Sequence, residues 1–248
     1  MNEHRNGTFG GVVAAGVLVL IIVLALLNRL SAQPKSPGTV LQGYPSYAAT
    51  VVTPSVDVHT APSGSSAVHA HLPRRNENGA PQTFLVEGSA GDTSGHTWYR
   101  VMLPIKPNGS SGWVPATAVR VTGIHDALVV YLRSFRLDLL VDKRVVRRFA
   151  IGVGKDNTPT PSGVYYIKEL IRPPNQNTIY GHYVLGLNGF SNVLVHWPDG
   201  GVIGIHGTND MRSIGRQVSH GCIRMSNADI TYLAHLLPLG TPVSVRND

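Results

Sequence analysis

The chain has 248 residues, 42% of them hydrophobic and only 14% charged, with a formal net charge of +7. That supplies enough apolar material for a core and too little charge for a disordered chain. The positive charge fits either a mildly basic, soluble surface or attraction to an anionic polymer or membrane surface; no Lys/Arg run is interleaved with aromatics, which argues against nucleic acid as a partner.

In chain order, the first feature is the charge-free run "FGGVVAAGVLVLIIVLALL", Phe9 to Leu27. As a helix it spans about 28 Å at ~1.5 Å per residue, close to the apolar thickness of a bilayer. Cleaved signal peptides have shorter apolar cores and an A-x-A-like site. Here Ala32 has Leu30 as a poor partner for cleavage, so residues 1–30 read as a cytoplasmic tail and uncleaved transmembrane anchor. The expected location is the cell membrane, single-pass, with the bulk of the chain extracytoplasmic. Residues 31–47, rich in Pro, Ser and Gly, read as a linker.

Residues 48–122 alternate Val with polar residues in short runs separated by turns, the pattern of a small β-barrel. The order "VDVHTAPS", "WYRVMLP", "GWVPATAVRV" resembles a bacterial SH3-like domain. From residue 124 to 247 the texture is again mostly β. "ALVVYLRSFRLDLLVDKRVVRRFAIGVG" reads as strands with hairpin turns near Ser134 and at Asp142-Lys143. "TPSGVYYIKEL", "NVLVHW" and "VIGIHG" read as further strands, the last two joined through "PDGG". "SNADITYLAHLLPLG" reads as a short helix. Ser226 or Asn227 caps it, and Ile230, Leu233, Ala234 and Leu237 form its apolar face. The predicted fold is therefore mostly β: an N-terminal transmembrane helix, a small barrel, then a β-rich domain with a short C-terminal helix.

Chemistry concentrates in "SHGCIRM", Ser219 to Met225, which holds the single cysteine of the chain. One cysteine excludes an internal disulfide and a Cys-only metal site. Most free cysteines only pack. In an extended segment, however, period two puts His220, Cys222 and Arg224 on one face, and both cationic neighbours favour a thiolate. Gly221 leaves room for a substrate and for amides aimed at a developing oxyanion. Sixteen positions upstream, His206 ends an apolar strand in "GVIGIHGTND" and is the candidate base for the thiol. A zinc site from His206, His220 and Cys222 fits no Cys/His spacing pattern, so no metal and no cofactor is expected.

These residues resemble the signature of the YkuD-type L,D-transpeptidases. The likeness runs through "AIGVGKDNTPTPSGVYYI", "YGHYVLGL", "IHGTND", "IGRQVSHGCIRMSNAD" and "LGTPVSV", roughly Asp126 to Arg246. The resemblance implies a cysteine acyltransferase acting on peptidoglycan stem peptides, releasing D-alanine and forming 3→3 cross-links in cell-wall biogenesis. It implies Cys222 as nucleophile and His206 as general base, with the Gly207 carbonyl orienting His206. His220 and Gly221 would shape the oxyanion region, and Arg224 would steady the loop or face a substrate carboxylate. The segment from Arg172 to Tyr183 would form a lid in which Tyr180, His182 and Tyr183 reach the substrate. Carbapenem-type β-lactams are implied as covalent inhibitors. Three rival enzymes share parts of the pattern: an L,D-carboxypeptidase on the same scaffold, a sortase-type transpeptidase, and an NlpC/P60-type peptidase. The last two lack their own cysteine contexts here. The non-enzyme rival is a wall-binding module whose site is inert.

Overall fold

The computed structural model describes residues 41, 43–194 and 201–248. The expected anchor over residues 9–27 lies outside them. Among the described residues, no helix is long and apolar enough to cross a membrane.

The first half is a seven-stranded antiparallel sheet. Its strands are Ser46–Val51 (β1), Ser55–His59 (β2), Val68–Pro73 (β3), Thr83–Gly91 (β4), Thr97–Met102 (β5), Ser111–Pro115 (β6) and Val119–Ile124 (β7). Their order is β3-β2-β6-β5-β4-β1-β7. Alternation does the work here: Ala49, Val51, Val56, Val58, Phe84, Val101 and Val114 all turn to one core. β1 starts inside the stretch expected to be linker, because Ser46 and Tyr47 pair with Ile124 and Gly123.

The second half follows after a single residue. It comprises Asp126–Tyr131 (β8), Arg136–Val141 (β9), Arg144–Ala150 (β10), Val153–Gly154 (β11), Gly163–Ile171 (β12), Val184–Phe190 (β13), Val202–His206 (β14), Gln217–Ser219 (β15), Ile223–Arg224 (β16) and Pro242–Arg246 (β17). Eight of them form a sheet in the order β10-β9-β8-β17-β12-β13-β14-β16, and β11 pairs separately with β15. The turn at Asp142-Lys143 has positive φ at both residues, 48° and 66°, the hairpin geometry expected of it. The helix Asn227–Leu236 (α1) begins where the sequence placed it. Ser226 accepts the Asp229 N–H at 3.1 Å, and Ile230, Leu233, Ala234 and Leu237 are buried.

The expected strand over 192–197 is described only in its first half. Asn192 to Leu194 lie outside any strand, and the rest of "NVLVHW" falls outside the described residues. The neighbour of β14 is instead β13, with Val184 opposite His206 and Leu185 opposite Ile205.

The two halves are clamped together. Tyr166 of β12 packs against Leu85 and Met102 of the first sheet. The buried carboxylate of Glu169 accepts from Asn76 and Asn78 at 2.8 and 2.9 Å, and Lys168 bonds Glu77 at 2.6 Å. Asn108 makes a two-way bridge to the backbone of Phe190, 2.8 Å in each direction. The two buried charges of this clamp, Lys168 and Glu169, are both matched by partners, as burial away from water requires.

Candidate active site

The site is built on the parallel pair β14 and β16. Ile205 lies beside Ile223, and His206 beside Arg224. Both isoleucines are in the core. Alternation therefore turns His206 and Arg224 to the opposite face, the face shared by Gly204 and Cys222 two residues earlier along each chain segment. Extending the same register, Cys222 lies level with Gly204, whose backbone hydrogen-bonds the thiol. His206 is the diagonal neighbour. The pairing is fixed by backbone bonds: Met225 N–H to the His206 carbonyl at 2.8 Å, and Arg224 with Gly152 in both directions at 2.8 and 2.9 Å.

His206 is 3% exposed. Its Nδ1 is 2.6 Å from the Gly207 carbonyl oxygen. A carbonyl can only accept, so Nδ1 carries the proton and Nε2 keeps its lone pair. Burial drives the His206 pKa down to about 4, helped by the charge of Arg224 and opposed by the Gly207 carbonyl and the Ile179 backbone. Tyr180 packs its ring edge-on to the imidazole, with centroids 5.2 Å apart.

The Cys222 thiol is pushed above its ordinary value by burial, which outweighs the Gly204 backbone hydrogen bond and the Arg224 charge. This corrects the expectation that two cationic neighbours hold a thiolate. Both partners rest neutral, a protonated thiol beside an unprotonated imidazole. Alkylation by iodoacetamide should then accelerate with pH up to and beyond the ordinary thiol range. A rate already flat between about pH 5 and 8 would mean a resting thiolate–imidazolium pair instead.

The turn carrying Cys222 is locked from inside. Ser219, almost fully buried, donates Oγ to the Cys222 carbonyl at 2.5 Å and accepts the Gly221 N–H at 3.1 Å. Its own carbonyl accepts from Lys155 N–H and Thr158 Oγ1, both at 3.1 Å. Gly221 has φ +118°, a conformation that favours glycine. The Gly221 N–H is thus committed to Ser219. Sequence reading gave Ser219 no role, although a serine two residues before a glycine is a recognisable turn signal.

Cys222, His206, Gly207, Gly221 and Arg224 are brought together. His220 is exposed on the same turn. Arg224 Nε is buried without a hydrogen-bond partner. Tyr183 is directed elsewhere: its ring packs on His235, with the hydroxyl 3.3 Å from Nε2. His182 Nδ1 is 3.3 Å from Thr231 Oγ1 of α1. Only Tyr180 of the three expected lid residues contacts His206.

A thiol on the same face as a carbonyl-held imidazole is an arrangement in which a histidine can take the proton of a cysteine. Residues 125–245 match the family model of the YkuD L,D-transpeptidase catalytic domain. YkuD of Bacillus subtilis, assigned to the L,D-transpeptidases, is 34% identical over 151 residues, covering 58% of this chain and 84% of that one. ErfK/SrfK of Escherichia coli, with the same assignment, is 30% identical over 163 residues, covering 58% and 51%. The chain belongs to the L,D-transpeptidase family. Among solved structures, the catalytic domain of the Enterococcus faecium enzyme is 25% identical, covers 49% of this chain and 96% of that one, and gives a TM-score of 0.37. L,D-transpeptidase 3 of Mycobacterium tuberculosis, solved with a faropenem-derived adduct, is 15% identical, covers 61% and 91%, and gives 0.41. Overlaps this loose add nothing to the sequence likeness.

Proposed function

We propose that Cys222 is the nucleophile and His206 the general base of a two-step acyl transfer between peptidoglycan stem peptides. The observation that carries this is the Nδ1 contact with Gly207, which leaves the Nε2 lone pair of the neutral imidazole free to take a proton, on a strand paired with the one that follows Cys222. In the first step, Cys222 Sγ attacks the carbonyl of the third residue of a tetrapeptide stem as Nε2 takes the thiol proton. The imidazolium then gives that proton to the departing nitrogen of D-alanine, leaving a thioester. In the second step, a side-chain amine of another stem attacks the thioester. It loses its proton to Nε2, which returns it to the leaving sulfur, and a 3→3 cross-link results.

The developing oxyanion sits at the turn Ser219–Cys222. Gly221 serves it through backbone shape, since its N–H is held by Ser219, and His220 flanks the turn. Arg224 steadies the loop, its backbone bonded to Gly152 in both directions, and Tyr180 covers His206 at the substrate side. The first sheet acts as an SH3-like accessory domain. The charge-free run at 9–27 holds the chain in the bilayer with the catalytic half outside the cytoplasm.

Product analysis with a tetrapeptide muropeptide and an amine acceptor tests the reading. A 3→3 dimer plus free D-alanine is the expected result. Tripeptide and D-alanine without dimer would make the protein an L,D-carboxypeptidase.

A further inference from the structure

His206 is held by the carbonyl of Gly207, so what holds Gly207 decides where the base points. The Gly207 N–H donates to the Tyr183 carbonyl at 3.2 Å. Its α-carbon faces the side chain of Asn227, the first residue of α1. A Cβ added at Gly207 would come within 2.2 Å of Asn227 Oδ1. On the other side, Gly181 has φ +61°, and a Cβ there would come within 2.1 Å of the same oxygen. Between the two glycines, Oδ1 accepts the His182 N–H at 3.1 Å. One side-chain oxygen thus fills the gap shared by the loop before β13 and the residue after β14. Its carrier is rigid. The Asn227 carbonyl accepts from Thr231 Oγ1 at 2.7 Å, and α1 is anchored through buried Ile230 and Leu233.

We propose that Asn227 is a positioning residue for the transfer reaction: its side-chain oxygen clamps the Gly181–His182 backbone against Gly207, which keeps the Gly207 carbonyl on His206 Nδ1. Asn227 touches neither substrate nor thiol. It acts by fixing the tautomer that frees Nε2, so the inference rests on His206 being the base. Both contacts that meet at Oδ1 require glycine at 181 and 207, because any side chain would displace the oxygen.

Two variants of the full chain test this. Asn227→Ser suits a helix start but is too short to bridge both glycines. It should lower kcat about 10- to 100-fold with KM nearly unchanged, the size expected of a base misplaced by about an ångström. Nitrogen-15 NMR of the resting enzyme should show His206 shifted from the Nδ1-protonated form to a mixture of tautomers. Asn227→Asp retains an oxygen at the same place and should restore the tautomer and most of kcat. A wild-type tautomer and kcat in Asn227→Ser would overturn the proposal. So would equal losses in both variants that merely follow lower melting temperatures. The tautomer signal needs no turnover. If His206→Gln acylates normally, the base assignment fails while the NMR result still reports on Asn227.

Discussion

Cys222→Ala should eliminate cross-linking, with a loss of at least about 10⁴-fold, the scale seen when a covalent nucleophile is removed. The sulfur is the proposed acyl carrier, the Ser219 hydroxyl beside it is tied to the Cys222 carbonyl and the Gly221 N–H, and Gly204 opposite has no side chain to substitute. Folding should be little affected, because the change removes a single sulfur from a side chain that precedes β16 and lies outside the hydrophobic core. Intact-protein mass spectrometry after carbapenem exposure gives the direct measurement. The wild-type chain should gain one covalent adduct that maps to Cys222, and the alanine variant should gain none while keeping its melting temperature. An adduct on the variant, or none on the folded wild type, would defeat the assignment of the nucleophile.

His206→Gln should slow acylation by about 10²- to 10⁴-fold, the usual contribution of a positioned general base. It also has a signature in stability. An ordinary histidine titrates near pH 6.5, and His206 in the folded chain titrates near 4. Between those values the unfolded chain binds a proton that the folded chain refuses. Stability therefore falls as pH drops from about 6.5 to about 4, by an order-of-magnitude 3 kcal/mol, and this contribution changes no further below that. The glutamine variant lacks it. Its melting temperature should decline less steeply across that window than the wild type's, and parallel declines would show that the imidazole is not held neutral.

Local chemistry in the sequence was readable where the structure relies on local chemistry. The Ser226 cap and the spacing of Ile230, Leu233 and Leu237 define α1 without help from distant residues. Asp142-Lys143 specifies its hairpin through left-handed backbone. The partnership of His206 with Gly207 is also local, one residue apart. What escaped the reading depends on contacts far apart in sequence. β13 contains Gly186, Gly189 and a buried Asn188, a composition that does not look like a central strand. It is one because Asn188 accepts the Tyr166 N–H at 2.8 Å, and because Gly186 makes room for Glu169. The direction of Tyr183 was unreadable for the same reason: its partner His235 lies on the helix. The resting charge of the thiol went wrong because neighbouring cations are visible in a sequence and burial is not.

The parallel course of β14 and β16 changes what the interval between His206 and Cys222 means. Parallel neighbours cannot be joined by a tight hairpin, so the chain leaves the sheet after His206 and re-enters beside it. Ladder bonds to the His206 carbonyl and Gly152, rather than the length of the intervening path, set how far apart His206 and Cys222 stand. Met211 and Arg212, exposed on that path, therefore mark a stretch where residues could be gained or lost without altering the reaction distance. The sixteen-position interval is a property of the route between two strands. The chemistry itself demands only that the two strands lie side by side in one register.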